Sequence, residues 1–189
     1  MRKDCLDKKL SNNILSLSQV AADAKRNNPA VINATIGMLN DSNDVFYTFK
    51  AVDEVLKTIS YYDSFSYADT DGGKEFADAV LKWVFGKYLD SFKESHHIGV
   101  VATPGGSGAI STTFQNYLNP GDNVMVPSVM WETYITIAKE RGCGVERYEL
   151  YDEDGKFNLD SIKKTILKLI PNQESIVLVI NDPCHNPTG

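Results

Sequence analysis

The chain has 189 residues and a formal net charge of −6, from 19 Lys plus Arg against 25 Asp plus Glu. With 42% hydrophobic and 23% charged residues, 13 glycines and 7 prolines, its composition is that of a folded globular protein, which excludes a disordered, collagen-like or disulfide-scaffold class. The acidic balance argues against nucleic acid or an anionic membrane as the main partner. Cys5, Cys143 and Cys184 are odd in number and far apart, so they build neither a disulfide framework nor a zinc pair with CxxC spacing, and a cytoplasmic location is expected. No apolar run approaches the ~18 residues of a membrane span, and the charged start MRKDCLDKKL has no apolar core behind it.

The hydrophobic period changes from segment to segment. Residues 14–27 are expected to form a helix, stopped at Asn27-Asn28-Pro29 because the residue before proline is pushed out of the α region. An extended segment, Val31 to Gly37, follows, then the turn-rich stretch 40–44. From Gly73, the spacing of Phe76, Ala79, Val80, Trp83, Val84 and Tyr88 predicts one buried helix face. Strands and helices then alternate. Residues 98–102 read as a strand, a glycine-rich turn leads to a helix ending near Leu118, and Val124–Val126 is a buried strand. Residues 131–141 form a helix closed by Gly142, and 145–150 a strand. Leu159, Ile162, Ile166 and Ile170 mark a further helical face before the β-branched run 175–180. This alternation implies an α/β fold, a parallel-rich sheet with helices on both faces. The sequence closes on Asn186-Pro187-Thr188-Gly189, in the loop after a buried strand, and the expectation is a truncated chain.

Three segments carry chemistry. In Thr103-Pro104-Gly105-Gly106-Ser107-Gly108 the glycines admit close backbone approach, and the first N–H groups of the following helix lack internal partners, so the turn either holds an anion or is a tight β-to-α turn without a ligand. It is not a P-loop, because no GK[ST] follows. Trp131, beyond the next strand, either lies over a ring attached to that anion or packs under its loop. The third segment is Asn181 to Gly189. His96-His97 reads as a polar strand entry, Asp152-Glu153-Asp154-Gly155 as an acidic turn and Cys184 as a small packed thiol; no metal site is expected.

Asn186-Pro187-Thr188-Gly189 resembles the Asn-Pro-Thr-Gly motif of the class I/II aminotransferases, pyridoxal-phosphate enzymes of the aspartate aminotransferase fold (fold type I). The glycine turn at 105–108 and the aromatic at 131 occur in the family's order, Tyr67-x4-Gly72 matches a further family segment, and Ile36-Gly37 matches its substrate-side glycine. The resemblance runs from about residue 30 onwards. It implies that residues 1–43 are an N-terminal arm and small-domain segment and that 44–189 are the first part of the large cofactor-binding domain. It further implies pyridoxal 5'-phosphate as cofactor, with Gly105, Gly106 and Ser107 on its phosphate, Trp131 on its ring and Asn186 donating to its phenolic oxygen. Tyr67 would reach the phosphate of a neighbouring subunit, which implies a homodimer, and Gly37 would donate to the substrate carboxylate. Amino acid and 2-oxo acid are the implied substrates. No lysine here stands in the family's context for tethering the cofactor, Lys163 and Lys164 lying on a solvated helix face, so the 189 residues alone are expected to be inactive. A carbon–sulfur lyase of the same fold, or a non-catalytic binding or dimerisation module, are the alternatives. The family also implies a cis Asn186–Pro187 bond, with Val126–Pro127 the next candidate.

Overall fold

The computed structural model describes residues 14–43 and 45–189; Cys5, the start of the expected arm and Asp44 lie outside them. The chain divides into two compact units, one up to Ser66 and one from Tyr67 to Gly189.

In the first unit, helix α1 (Ile14–Asn27) ends where the sequence predicts, with Lys25 and Arg26 in its last turn complementing the negative end of the helix dipole. The side chain of Asn28 accepts from the Ala30 N–H at 3.1 Å, a turn-forming bond that replaces the next helical one. The predicted turn at 40–44 carries an antiparallel bridge between Asn40 and Phe46, and the Asp41 carboxylate accepts from the N–H groups of Asn43 and Val45. Helices α2 (Lys50–Thr58) and α3 (Tyr61–Phe65) follow; Ser60 caps the latter through the Asp63 N–H.

The second unit begins with α4 (Gly73–Phe85) and α5 (Leu89–Ser95), joined by a 3-10 turn over Gly86–Tyr88. Then come α6 (Gly105–Tyr117), β1 (Asn123–Pro127), α7 (Thr133–Glu140), β2 (Gly144–Tyr148) and α8 (Leu159–Leu169). Strands β1 and β2 pair in parallel, Asn123 opposite Gly144 through Pro127 opposite Tyr148. On the other side of β1, residues 177–179 add a third parallel segment: Met125 N–H donates to Val177 O at 2.8 Å and Val179 N–H to Met125 O at 2.9 Å. β1 is therefore central.

Its side chains alternate between two cores, as a strand's period of two requires. Val124 and Val126 pack with Phe114 of α6, Leu118 at its C-cap, and Tyr134 and Ala138 of α7. Met125 packs on the opposite face with Tyr148, Leu150 and, from α8, Ile162 and Leu169. Both faces being covered, β1 reads as a continuous apolar run instead of an alternating one. The expected α/β layering, helices on both faces of a parallel sheet, is present.

Several elements differ from expectation. Residues 98–102 join neither a helix nor a ladder among the described residues; the Ala102 N–H donates to Asp71 O at 2.7 Å. The predicted buried face of α4 is open: Trp83 is 90% exposed, Phe76, Val84 and Tyr88 are also exposed, and Leu81 is the helix's buried residue. Periodicity identifies an apolar stripe but not what covers it. In α8 the predicted Ile162 is buried and Ile166 half-buried against the same core, but Thr165 and Leu169 complete the buried face, and the predicted Leu159 and Ile170 are exposed. The acidic turn forms as expected, with Asp152 accepting from the N–H groups of Asp154 and Lys156. His96 ends α5 and stacks on Phe92 instead of entering a strand. Among the described residues there is no cluster able to hold a metal ion and no helix long and apolar enough to cross a membrane.

Burial raises the proton affinities of Tyr148, Tyr134 and Cys143 above their ordinary values, with Tyr134 adding to the effect at Tyr148 and Asp122 to that at Cys143. Each group is neutral when protonated, so the unfolded chain loses its proton first as pH rises. The contribution to stability is complete below the unfolded values of about 9 to 10 and is lost as pH climbs through the folded ones. Thermal melts are expected to be insensitive to these groups up to about pH 8 and to fall above about pH 9. Ultraviolet titration should show two tyrosines ionising later than the others; all nine tyrosines ionising together in the folded state would contradict the buried placement.

Candidate functional site

The order of the sheet locates the site before any motif is consulted. From β1 the chain crosses by α7 to β2 on one side, then returns by α8 to the third segment on the other side of β1. Ligands of open α/β sheets bind outside the carboxyl ends of the strands, where the order reverses in this way. Two of the sequence-predicted segments leave that edge directly: Ser128–Trp131 from β1, and Asn181–Gly189 from the third segment.

Helix α6 brings the third. Its C-terminal end leads through a short turn into β1, closed by the Asp122 N–H donating to Asn119 O at 3.0 Å and the Asn119 N–H donating to the Asp122 carboxylate at 2.7 Å. Because α6 packs along β1 and is about 20 Å long against about 16 Å for the strand, its N-terminus stands towards the carboxyl edge. Gly105 opens it with φ +65°, a left-handed geometry that suits a residue without Cβ. Its N–H turns back onto Thr103 O at 2.7 Å, and the Thr103 hydroxyl donates to Gly105 O at 2.9 Å. Pro104, at the N-cap, offers no side-chain cap. The N–H groups of Gly106 and Ser107 and the Ser107 hydroxyl find no partner among the described residues, and no atom lies within 4 Å of where a Cβ of Gly105 or Gly106 would stand. Three unpartnered donors therefore stand at the positive end of the helix dipole, where an anion can bind.

Behind this turn sits the Tyr67–Gly73 segment. Gly72 caps α4 with φ +94°, and a Cβ there would lie 2.7 Å from the Cβ of Ala102. Together with the Asp71–Ala102 hydrogen bond, this close approach holds the segment against the residues that enter the glycine turn. Tyr67 itself is fully exposed.

Trp131 is half-buried against the Val124–Val126 core, with Tyr134 meeting it edge-on at 5.6 Å between ring centres. Ser128 ties the edge together, donating its N–H to Tyr148 O at 2.7 Å and accepting from Leu150 N–H through its hydroxyl at 3.4 Å. In the Asn181–Gly189 loop the Asn181 side chain accepts from Asn186 N–H at 2.9 Å, while the exposed side-chain amide of Asn186 has no partner among the described residues. Asn186–Pro187 is cis, as expected; the second cis bond is Asp182–Pro183, and Val126–Pro127 is trans. Cys184 is exposed with φ +59°, so the expectation of a packed thiol is corrected: the loop turns its side chain outward.

Sequence reasoning missed the loop's internal wiring. Tyr151 Oη lies 3.1 Å from Thr188 Oγ1, which lies 2.8 Å from His185 Nδ1. Beside them opens a cavity of about 380 Å³, lined by Tyr148, Tyr151, Phe157, Ile180, Asp182 and His185 among others. No local pattern signals a pairing 37 residues apart. Gly37 belongs to the other unit, where it has open space at its Cβ position.

Comparison with known proteins agrees with this architecture. The family described as "Aminotransferase class I and II" matches residues 31–189. The mitochondrial aspartate aminotransferase of Saccharomyces cerevisiae is 25% identical over 93% of this chain and 42% of its own length, and a tyrosine aminotransferase of Rhizobium meliloti is 25% identical over 98% and 46%. The chain thus spans somewhat under half the length of the curated relatives it matches. Among solved structures, an aminotransferase from Anaerococcus prevotii superposes with a TM-score of 0.90 at 29% identity, over 100% of this chain and 46% of that one. The cytoplasmic aspartate aminotransferase of S. cerevisiae shares the fold, with a TM-score of 0.74 at 21% identity over 98% and 45%. The match over residues 31–189 takes in the Tyr67 segment, the uncapped glycine turn, Trp131 and the Asn186 loop alike, and on it the chain belongs to the class I and II aminotransferase family.

Proposed function

We propose that this chain supplies the cofactor-binding face of a pyridoxal-phosphate-dependent aminotransferase that moves an amino group between an amino acid and a 2-oxo acid. The observation that carries the reading is the set of three unpartnered donors at the uncapped start of α6, on the sheet edge that also carries Trp131 and Asn186.

The residues present fit the cofactor. Gly106 and Ser107 N–H and the Ser107 hydroxyl match the acceptor oxygens of a phosphate dianion, and the αL opening at Gly105 keeps side-chain bulk away from it. Trp131 offers an aromatic face to a pyridine ring, worth about 0.5–1.5 kcal/mol beyond the area buried. Asn186, its amide unpartnered, donates to the ring's phenolic oxygen and so favours the anionic form of that oxygen. When bound, the cofactor supplies the electron sink for bond cleavage at the substrate Cα. Gly37 offers its N–H to the substrate carboxylate, and Tyr67, exposed and unpartnered among the described residues, reaches the phosphate of a neighbouring subunit in a homodimer. Residues 44–189 are then the first part of a large domain and 1–43 an arm and small-domain segment. The lysine that tethers the cofactor and moves the Cα proton is not among the motifs here, so the 189 residues by themselves catalyse no transfer. The location proposed for this protein is the cytoplasm.

Pyridoxamine 5'-phosphate, which needs no lysine to bind, provides the test. It is expected to quench tryptophan emission on binding, and Ser107→Ala is expected to weaken it about tenfold or more, the range of a hydrogen bond to a charged acceptor. Pyridoxamine without the phosphate should bind weakly and be indifferent to Ser107→Ala. Equal loss for both compounds would place the phosphate elsewhere. In the whole enzyme, a keto acid product with the pyridoxamine form separates transfer from lyase chemistry, which would release pyruvate and ammonia.

A further inference from the structure

Arg141 lies just past the end of α7, at its C-cap. Its guanidinium crosses to α6, where Nε and Nη2 donate to Ser111 Oγ at 3.1 and 2.7 Å and Nη1 donates to Gln115 Oε1 at 2.8 Å. No carboxylate pairs with it among the described residues. All three bonds go to neutral acceptors, so the fixed planar fork serves geometry and not charge compensation. The two acceptors lie one and two turns beyond Ser107 on the same row of the helix, at i+4 and i+8. The two helices so joined carry different halves of the candidate site: α6 begins with the phosphate cradle, and α7 begins just after Trp131. Below them Phe114, Leu118, Tyr134 and Ala138 form one apolar contact. Such a contact resists separation but is tolerant of sliding, since apolar packing is non-directional. Three directed hydrogen bonds fix the slide.

We infer that Arg141 is a positioning residue that sets the distance between the phosphate cradle of α6 and the ring-stacking Trp131 ahead of α7. The inference rests on the cofactor reading above. It requires that ligands spanning both points depend on Arg141 and that ligands using the cradle alone do not.

The experiment compares inorganic phosphate with pyridoxamine 5'-phosphate on the protein and its Arg141→Ala and Ser111→Ala/Gln115→Ala variants, with melting temperature recorded for each. Phosphate affinity should stay within about twofold, and pyridoxamine phosphate affinity should fall about tenfold, equivalent to about 1.4 kcal/mol. Arg141→Lys keeps the charge without the fork and should recover little of the lost affinity. The double variant removes the acceptors while leaving the cation, so it reproduces the split if geometry is the cause. Equal weakening of both ligands would mean that Arg141 acts by its charge or through general loosening of α6, and overturns the inference; so does unchanged binding of both. If the unmodified protein binds neither ligand, the cofactor reading fails and the positioning role falls with it.

Discussion

Gly106→Asp is expected to abolish anion binding while leaving the fold intact or slightly more stable. The backbone at 106 is ordinary helix and nothing stands within 4 Å of its Cβ position, so the substitution meets no steric barrier. A carboxylate in the first turn interacts favourably with the helix dipole, by about 0.3–1 kcal/mol. The same carboxylate stands where a phosphate dianion would have to sit, and juxtaposed like charges cost several kcal/mol. Affinity for inorganic phosphate and for pyridoxamine phosphate should therefore drop by a factor of about a hundred or more, about 2.7 kcal/mol, with the melting temperature unchanged or raised. A simple loss of structure would lower both together. Retained phosphate affinity in a stable Gly106→Asp protein would show that the α6 terminus is an architectural turn and nothing else.

The second large effect lies in the core. Phe114, 1% exposed, sits between Val124 and Val126 of β1 and the residues of α7. Phe114→Ala should cost about 3–5 kcal/mol, a large share of the about 5–15 kcal/mol typical of a folded protein, and lower the melting temperature by about 6–20 °C for a chain of this size. Trp83→Ala in the same 189-residue chain should change stability by no more than about 0.5 kcal/mol, because Trp83 is 90% exposed. The comparison runs against sequence periodicity, which puts Trp83 in a core; a larger loss at Trp83 than at Phe114 would reverse the packing described above.

That contrast marks how far the sequence is legible. The strand at 124–126, the helix opening at Gly105 and the cis Asn186–Pro187 bond are all readable, because each follows from local chemistry or from the resemblance carried by a short motif. The α4 stripe is readable as apolar but not as covered, since coverage depends on what packs there. Residues 98–102 show strand composition without a ladder, because hydrogen bonding needs a neighbour that composition does not name. The candidate site divides in the same way. Its donors and its aromatic residue announce themselves in glycine spacing and residue type. The Arg141 clamp onto Ser111 and Gln115, and the Tyr151, Thr188 and His185 chain, join residues 26 to 37 apart in sequence or hang on a loop's path, and nothing local encodes either.

The contact between Gly72 and Ala102 has an evolutionary side. With the Cβ of residue 102 standing 2.7 Å from where one at 72 would fall, and with residue 72 at φ +94°, the two positions share room for a single methyl group. No change at 102 alone therefore frees position 72: a Cβ there would also meet the Phe76 ring at 2.7 Å and would hold a backbone conformation that L residues rarely adopt. Descendants of this sequence should show an asymmetric dependence between the pair: glycine retained at 72 whatever small residue stands at 102, since relieving one of the two close approaches leaves the Phe76 ring and the backbone conformation in place.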